Sequence, residues 1–243
     1  MSVDYLAGLN KKQLGDMAAA GDQILECYRV LRKANANVVA ETLKGQGDFF
    51  EWDHYPKGDV YDSDTGSQYY YHAHPPETRV AIYGPENGHF HTFVRPKGIP
   101  KGIKPAPVAD YKKLSGSNDE LTHLVGISMD RQGFPIRLFT TNRWVTGETW
   151  YSGDDVLRIV DEFLMDHAYP SWPTNIWITG MLRLFRPQVV SLIEQRDQAV
   201  DEWIREHPDV ESPYEDRNLE ITSFVDVSVE KQLSLVRMAL SGA

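Results

Sequence analysis

The sequence of 243 residues is poor in cysteine, in positive charge and in long apolar runs. Its single cysteine, Cys27, cannot form an intrachain disulfide or a thiolate cluster, which excludes a disulfide-framed scaffold. The excess of 35 acidic over 25 basic side chains argues against a nucleic-acid partner, which needs a concentrated basic surface. No stretch approaches the roughly 18–20 apolar residues of a membrane span, so we expect no membrane association and a cytoplasmic location.

The negative charge is concentrated in one region near the carboxyl end. Between Glu194 and Glu230, twelve acidic and three basic side chains give a net charge of −9, whereas the whole chain carries −10. Two interpretations remain open: a solvated helix face with polar loops, or an acidic surface that docks a basic partner.

Three blocks of different residue pattern predict the fold. Residues 11–45 place apolar side chains at three- and four-residue spacings, which predicts helix. Aromatic and β-branched runs between 49 and 150 predict strands near 68–74, 79–83, 89–95, 122–129 and 135–142. Residues 152–243 are mainly helical, with a short strand near 219–225. We therefore predict a single α+β domain over residues 1–243, with a central, mainly antiparallel sheet that could curve into a barrel, packed by N-terminal and C-terminal helices.

Two segments of the middle block are predicted to be loops. Residues 51–62 are polar and aromatic and are expected to lie over the sheet. Residues 95–120 are rich in Pro, Gly and Lys, which is typical of a mobile binding loop or lid. The glycine-rich signatures of dinucleotide and P-loop proteins are missing, as is the serine elbow of hydrolases, so these function classes lack support.

Half of the eight histidines fall within twenty residues, as two His-x-His units. The first is His72 and His74 in YYYHAHPPE, and the second is His89 and His91 in ENGHFHTF. Side chains at i and i+2 of a strand point to one face, so each unit offers two neighbouring imidazoles. If the two segments pair antiparallel, one register places His72 opposite His91 and His74 opposite His89, and the four rings converge. A strand near 79–83 could instead separate them.

Clustered imidazoles and carboxylates favour a divalent transition metal, with Zn, Fe, Mn, Ni and Cu not distinguished. The candidate ligands are His72, His74, His89, His91 and Glu77, with Glu86 as a further nearby carboxylate. Without thiolates, a catalytic site with an open position is favoured over a structural zinc site. His123 is expected to be a core histidine that supports the site. The competing interpretations are packed, hydrogen-bonded histidines and a pH-sensitive structural cluster.

A second constellation, TTNRWVTGETWY, follows the last strand of the middle block. Glu148 and Arg143 are candidate catalytic residues, because a carboxylate can act as a general base and a guanidinium can hold an anion. Arg143, Arg79, Arg95 and Trp144 are candidate substrate-binding residues. The alternative is an Arg143–Glu148 ion pair, with the tryptophans packed on the helices.

Two resemblances to known families accompany these motifs. HAHPPE, residues 72–77, partly resembles the first metal motif of the cupin family, in which His-x-His and a following glutamate bind a metal. It implies His72, His74 and Glu77 as ligands, but Glu77 follows His74 more closely than in cupins, and the second cupin motif has no clear counterpart. Over most of its length the chain resembles an uncharacterised bacterial domain family, through YYYHAHPPE, GHFHTF, ISMDRQGFPIRLFTTNRWVTGETWY and PSWPTNIWITGMLRLFRP. This second resemblance implies a bacterial setting and no known activity.

The sequence therefore predicts a metal-dependent enzyme with a histidine-rich mononuclear site. We expect its partner to be a small-molecule substrate or ligand, for which an anionic group is one option, and oxidation and hydrolysis both remain open. The alternative is a non-catalytic module that binds a small ligand, or a protein through its acidic surface.

Overall fold

The structure, a computed structural model, describes residues 4–75, 84–108 and 118–242. Within them the strands are β1 Tyr55–Tyr61, β2 Ser67–His72, β3 His89–Val94, β4 Thr122–Met129, β5 Pro135–Thr141 and β6 Ile221–Asp226. The helices are α1 Lys11–Lys33, α2 Val38–Leu43, α3 Arg143–Thr146, α4 Gly153–Val160, α5 Trp172–Leu184, α6 Arg186–Glu206 and α7 Val229–Gly242. The predicted α+β class is confirmed.

Helix α1 begins at a reciprocal cap that the sequence encodes. The Asn10 side chain accepts the Gln13 N–H at 3.0 Å, and the Gln13 side chain accepts the Asn10 N–H at 2.9 Å. The apolar face that follows buries Leu14, Ile24 and Leu31, and the helix packs between α5 and α7. Helix α1 therefore forms much of the helical layer that supports the sheet.

The six strands form one antiparallel sheet in the order β1-β2-β3-β4-β5-β6. Each strand pairs with its neighbours in sequence, so the predicted antiparallel sheet is confirmed, and within the described residues this sheet is open and does not close into a barrel. The predicted strand 79–83, together with Glu77 and Arg79, lies outside the described residues.

The prediction that residues 51–62 form a loop is wrong, because Tyr55–Tyr61 is the edge strand β1. Pro56 and Gly58 conceal the strand in the sequence, since both residues are typical of turns. An edge strand tolerates proline because one side of its backbone has no neighbour to donate to. The pairing with β2 is also irregular between Tyr55 and Val60, where these residues fall.

The two faces of the sheet have different environments. One face packs on the helices: Tyr69 O–H donates to Asn175 Oδ1 of α5 at 2.7 Å, and the Phe90 ring lies 5.3 Å from that of Trp177. The opposite face carries the histidines of β2 and β3, because their positions alternate with Tyr69 and Phe90 along the strands. The fold thus separates an apolar core face from a polar, histidine-rich face.

Candidate metal centre

The two His-x-His segments lie on neighbouring strands, β2 and β3, as the antiparallel pairing predicts. The predicted register is wrong by two residues: His72 lies opposite His89, and His91 lies opposite Tyr70. A shift by an even number of residues keeps every side chain on its face, so the histidines still meet. His74 lies beyond the end of β2, just before Pro75, which cannot donate to a ladder.

Three histidines converge in the interior of this face. The Nε2 atoms of His72 and His89 are 2.6 Å apart, and one ring nitrogen from each of His72, His89 and His91 lies within 4.8 Å of the others. Their exposed fractions are 8%, 1% and 1%, so the three imidazoles are shielded from water. We call these residues the histidine triad.

Glu86 holds the far side of the His89 ring. Its Oε1 lies 2.7 Å from His89 Nδ1, and its side chain is only 4% exposed. An ionised carboxylate only accepts hydrogen bonds, so it favours the His89 tautomer with the proton on Nδ1. The Nε2 lone pair of His89 then points to the centre of the triad. Glu86 therefore contacts the triad through the His89 ring, on the side of that ring that faces away from the centre of the triad.

A β-bulge in β4 brings a fourth buried imidazole to the same face. Gly126 pairs with His91, whereas the next pair along β4 is His123 with Phe93, so β4 has one extra residue there. In a regular strand His123 and Gly126, three residues apart, would face opposite sides. The bulge places both on the histidine face, which strict alternation does not predict.

The bulge is stabilised by the hydroxyl group of Thr92. This group donates to the Val125 carbonyl at 2.7 Å and accepts the Val125 N–H at 3.3 Å. Both main-chain groups of the bulged residue are thereby satisfied without a ladder partner.

His123 supports His91, in agreement with its predicted supporting role. His123 Nε2 lies 2.9 Å from His91 Nδ1, and its Nδ1 lies 3.4 Å from Thr141 Oγ1. Complete burial, together with the charges of Arg196 and His89, lowers the pKa of His123 to about 3. The His123 ring is therefore neutral at physiological pH, and its Nε2 can accept a hydrogen bond from His91 Nδ1–H.

The outer side of the triad is lined by His74, which follows β2, and by residues that precede β1. His74 lies with its ring centre 4.8 Å from that of His72, and Trp52 stacks on His74 at 4.2 Å. His54 stacks on Tyr70 at 3.6 Å and lies edge-on to His72 at 5.6 Å. Trp52 is 55% exposed, so this side of the cluster borders the surface among the described residues.

Sequence reasoning missed Trp52, His54 and Asp59 as neighbours of the cluster. Asp59 Oδ1 lies 3.2 Å from His54 Nδ1, and Asp59 and Trp52 both have left-handed backbone conformations, with φ of 61° and 72°. Such conformations are strained in non-glycine residues and are concentrated at functional sites. No spacing in the sequence connects this segment to the His-x-His units.

Arg95, a predicted substrate-binding residue, reaches the cluster only through other side chains. Its Nε donates to Gln68 Oε1 at 2.5 Å, and Gln68 Nε2 donates to Asp59 Oδ2 at 2.7 Å. Asp59 in turn contacts His54. Arg95 thus stands at the end of a polar chain that leads to the outer side of the triad.

Glu148, a predicted catalytic residue, lies behind His123 and contacts its main chain. Its Oε2 accepts the His123 N–H at 2.8 Å and the Thr122 hydroxyl at 3.1 Å. Burial raises the pKa of Glu148 to about 7, although the charge of Arg196 and both hydrogen bonds favour the ionised form.

Arg143 and Trp144 contact a different part of the chain. Arg143 forms an ion pair with Glu215, and Trp144 Nε1 donates to the Leu219 carbonyl at 2.8 Å. The structure therefore brings Glu148 close to the cluster and places both neighbouring candidates against residues 213–219. Their predicted roles in substrate binding stay predictions.

Several side chains of the acidic region take part in contacts within the chain. Asp197 accepts hydrogen bonds from the Arg196 guanidinium and the Gly153 N–H, and Asp216 accepts one from Trp203 Nε1. The docking of a basic partner to this region stays a prediction.

A family model described as Domain of unknown function (DUF6969) matches residues 18–227. The chain belongs to this family. The DUF6969 match includes the whole histidine cluster and all six strands, and the family description assigns no activity. No curated protein and no solved structure matches the chain. In the described part of this DUF6969 chain, no helix combines the length and the apolar character needed to cross a bilayer.

Proposed function

We propose that His72, His89 and His91 bind one divalent transition-metal ion through their Nε2 atoms, and that the chain is a metal-dependent enzyme acting on a small anionic substrate. The observation that carries the proposal is the convergence of three buried ring nitrogens within 4.8 Å. Three neutral imidazoles suit Zn, Fe, Mn, Ni or Cu.

The close approach of His72 and His89 requires something between their nitrogens. Two lone pairs repel at 2.6 Å, so either a proton or a cation lies between the Nε2 atoms. Nitrogens bound at about 2.0–2.1 Å to one ion lie about 2.9 Å apart at a right angle and about 3.3 Å apart at the tetrahedral angle. The pair needs to separate by about 0.3–0.7 Å to accommodate a metal.

The surroundings favour the metal over a shared proton. Glu86 on His89 and His123 on His91 each meet the Nδ1 side of a triad ring. With both Nδ1 protons donated outward, two Nε2 lone pairs face the centre. Outer hydrogen-bond partners of this kind are a common feature of metal-bound histidines, since they fix the tautomer and the ring orientation.

The donor set supports a catalytic use of the ion. Three neutral ligands leave the charge of the metal uncompensated, so an anion or hydroxide is a favourable additional ligand. Such an ion, held by the three histidines, would polarise a substrate oxygen or lower the pKa of a bound water, and iron or copper would also support oxidation. His74 and His54 lie on the solvent side, where an additional ligand would enter.

Cobalt binding tests the proposal. Protein prepared without a histidine tag and stripped with a chelator is titrated with Co²⁺ and followed by visible absorption. We expect one ion per chain, a spectrum that His72→Ala and His91→Ala each abolish, and a spectral change on adding azide as a small anionic ligand.

His207→Ala is the matched control, because His207 stacks on Trp203 at 3.8 Å and contributes no contact to the cluster. Its cobalt spectrum should equal that of the wild type. A chain that binds no stoichiometric cobalt, or that binds it equally in both triad variants, would contradict the metal site. Binding without any response to azide would contradict the open position and hence the catalytic use.

A further inference from the structure

A groove, distinct from the histidine cluster, lies within the helical layer, away from the sheet. It has a volume of ≈ 630 Å³ and is bounded by the first half of α1, the end of α4 and the junction of α5 and α6. Its lining residues come from helices and their connections, with none from a strand, so the groove is separate from the histidine cluster. Its volume falls in the range of small-molecule sites.

The floor of the groove is apolar. Met17 and Ala20 of α1 face Phe163 and Leu182, and each of these side chains is at most 4% exposed. Such a surface favours an apolar ligand body, because burial against it removes hydrocarbon from water.

The rim of the groove carries positive charge with unused hydrogen-bond donors. Arg186 binds Asp161 through Nε at 2.6 Å and Nη2 at 3.1 Å, and its Nη1 is buried without an acceptor among the described residues. Arg183 is exposed at the end of α5, and its guanidinium has no ion-pair partner within residues 4–75, 84–108 and 118–242. Buried donors in native proteins are nearly always satisfied by protein, water or ligand.

The remaining carboxylate at the rim does not offset this charge. Asp16 lines the groove and is paired with Lys12 at 2.7 Å, as Asp161 is with Arg186. Among the charged lining residues that the structure describes, Arg183 is then the one without an ion-pair partner. The planar guanidinium matches a carboxylate in shape and charge.

We propose that this groove binds a small amphipathic carboxylate, with its hydrocarbon part on the apolar floor and its head group at Arg183 and Arg186. The ligand class follows from the combination of an apolar floor, an uncompensated cation and a buried donor that lacks an acceptor. The site is independent of the metal centre.

Calorimetric titration with octanoate tests the groove, with 1-octanol and octylamine as neutral and cationic probes of equal length. The protein is first stripped of metal, so that a carboxylate cannot bind an ion in the histidine cluster. We expect octanoate to bind at least about tenfold more tightly than either analogue, the effect of one charge-assisted hydrogen bond.

Three variants locate the binding. Arg183→Gln should weaken octanoate about tenfold and leave octanol unchanged, whereas Arg32→Gln, at the exposed end of α1 and outside the groove, should change neither. Ala19→Trp, at an exposed lining position, should weaken both ligands by filling the mouth. Equal affinity for all three probes, no binding of octanoate at millimolar concentration, or binding unaffected by Arg183→Gln and Ala19→Trp would each overturn the proposal.

Discussion

A Cβ atom at Gly126 would overlap the ring of Phe139, which lies across the glycine from the neighbouring strand β5. The same ring meets His89 and His91 edge-on, with ring centres 5.3 and 5.6 Å apart. The missing side chain at Gly126 therefore leaves room for the Phe139 ring, which contacts two imidazoles of the triad edge-on. The position requires glycine for space, since its φ is not in the left-handed region.

Gly126→Ala should lower the free energy of unfolding by about 1–3 kcal/mol, because the new methyl group must displace the Phe139 ring. Urea denaturation measures this loss. The variant should also bind metal more weakly, since Phe139 packs on both histidines.

Gly15→Ala is the control for that substitution. Gly15 lies within α1 with no atom near the position of an added Cβ, so alanine there should stabilise the protein by about 0.5–1 kcal/mol. A Gly126→Ala variant as stable as the wild type would show that Phe139 moves freely and does not support the triad.

Glu86→Gln should weaken metal binding about 10–100-fold without abolishing it, because Glu86 orients His89 and is not itself a proposed ligand. Competition with a chromophoric chelator measures the change. Glu26→Gln, an exposed residue paired with Arg29, should leave the affinity unchanged. Complete loss of binding in Glu86→Gln would instead make Glu86 a direct ligand.

The buried carboxyl of Glu148 should make stability depend on pH. Its pKa is raised from 4.5 to about 7 on folding, so the unfolded chain releases this proton first as the pH rises. The contribution of Glu148 to stability therefore falls by about 3 kcal/mol between pH 4.5 and pH 8 and is constant below pH 4.

Glu148→Gln should remove this dependence. The stability of the variant relative to the wild type should increase by about 2.5 kcal/mol between urea titrations near pH 5 and near pH 8. Glu206→Gln, at an exposed position, should show no such trend. A difference that is constant across this range would mean that Glu148 is already ionised in the fold, held by Arg196 and the His123 N–H.

Arg143 and Glu215 should be coupled to each other and independent of the metal. In a double-mutant cycle with Arg143→Gln and Glu215→Gln, we expect a coupling of about 1 kcal/mol in unfolding free energy. Metal affinity should be unchanged in both single variants, because the ion pair lies at Glu215 and the charge of Arg143 acts on Glu148, which is not a proposed ligand. Weakened metal binding in Arg143→Gln alone would connect Arg143 to the site after all.

The sequence predicts the face on which the histidines lie more reliably than it predicts their partners. The i, i+2 spacing of His72 and His74, and of His89 and His91, implies a shared face wherever the strands form. The register depends on where β2 ends, and the end before Pro75 removes His74 from the ladder. Facing side chains were therefore predictable, whereas the pairing of His72 with His89 was not.

Other features of the site arise from long-range contacts that leave no periodic signal. The β4 bulge is concealed because Leu124 and Val125 are both apolar and fully buried, so either could belong to the core face. Trp52 and His54 lie just before the edge strand β1, in which Pro56 and Gly58 suggest a loop. The longer helices, by contrast, follow from local caps and apolar periodicity and lie within the blocks predicted to be helical, whereas the four-residue helix α3 was not predicted.

The bulge in β4 also bears on how DUF6969 chains should be compared with one another. His123 and Gly126 are three residues apart and share a face only because one residue is taken up opposite Thr92. In a chain where these two positions are two residues apart, a regular strand would place both on the same face. Such a chain would need no hydroxyl at the position of Thr92. We therefore expect a three-residue spacing between the positions of His123 and Gly126 to occur together with threonine or serine at the position of Thr92. A family member with one residue fewer in β4 should have a regular strand there that places the same two positions on the same face.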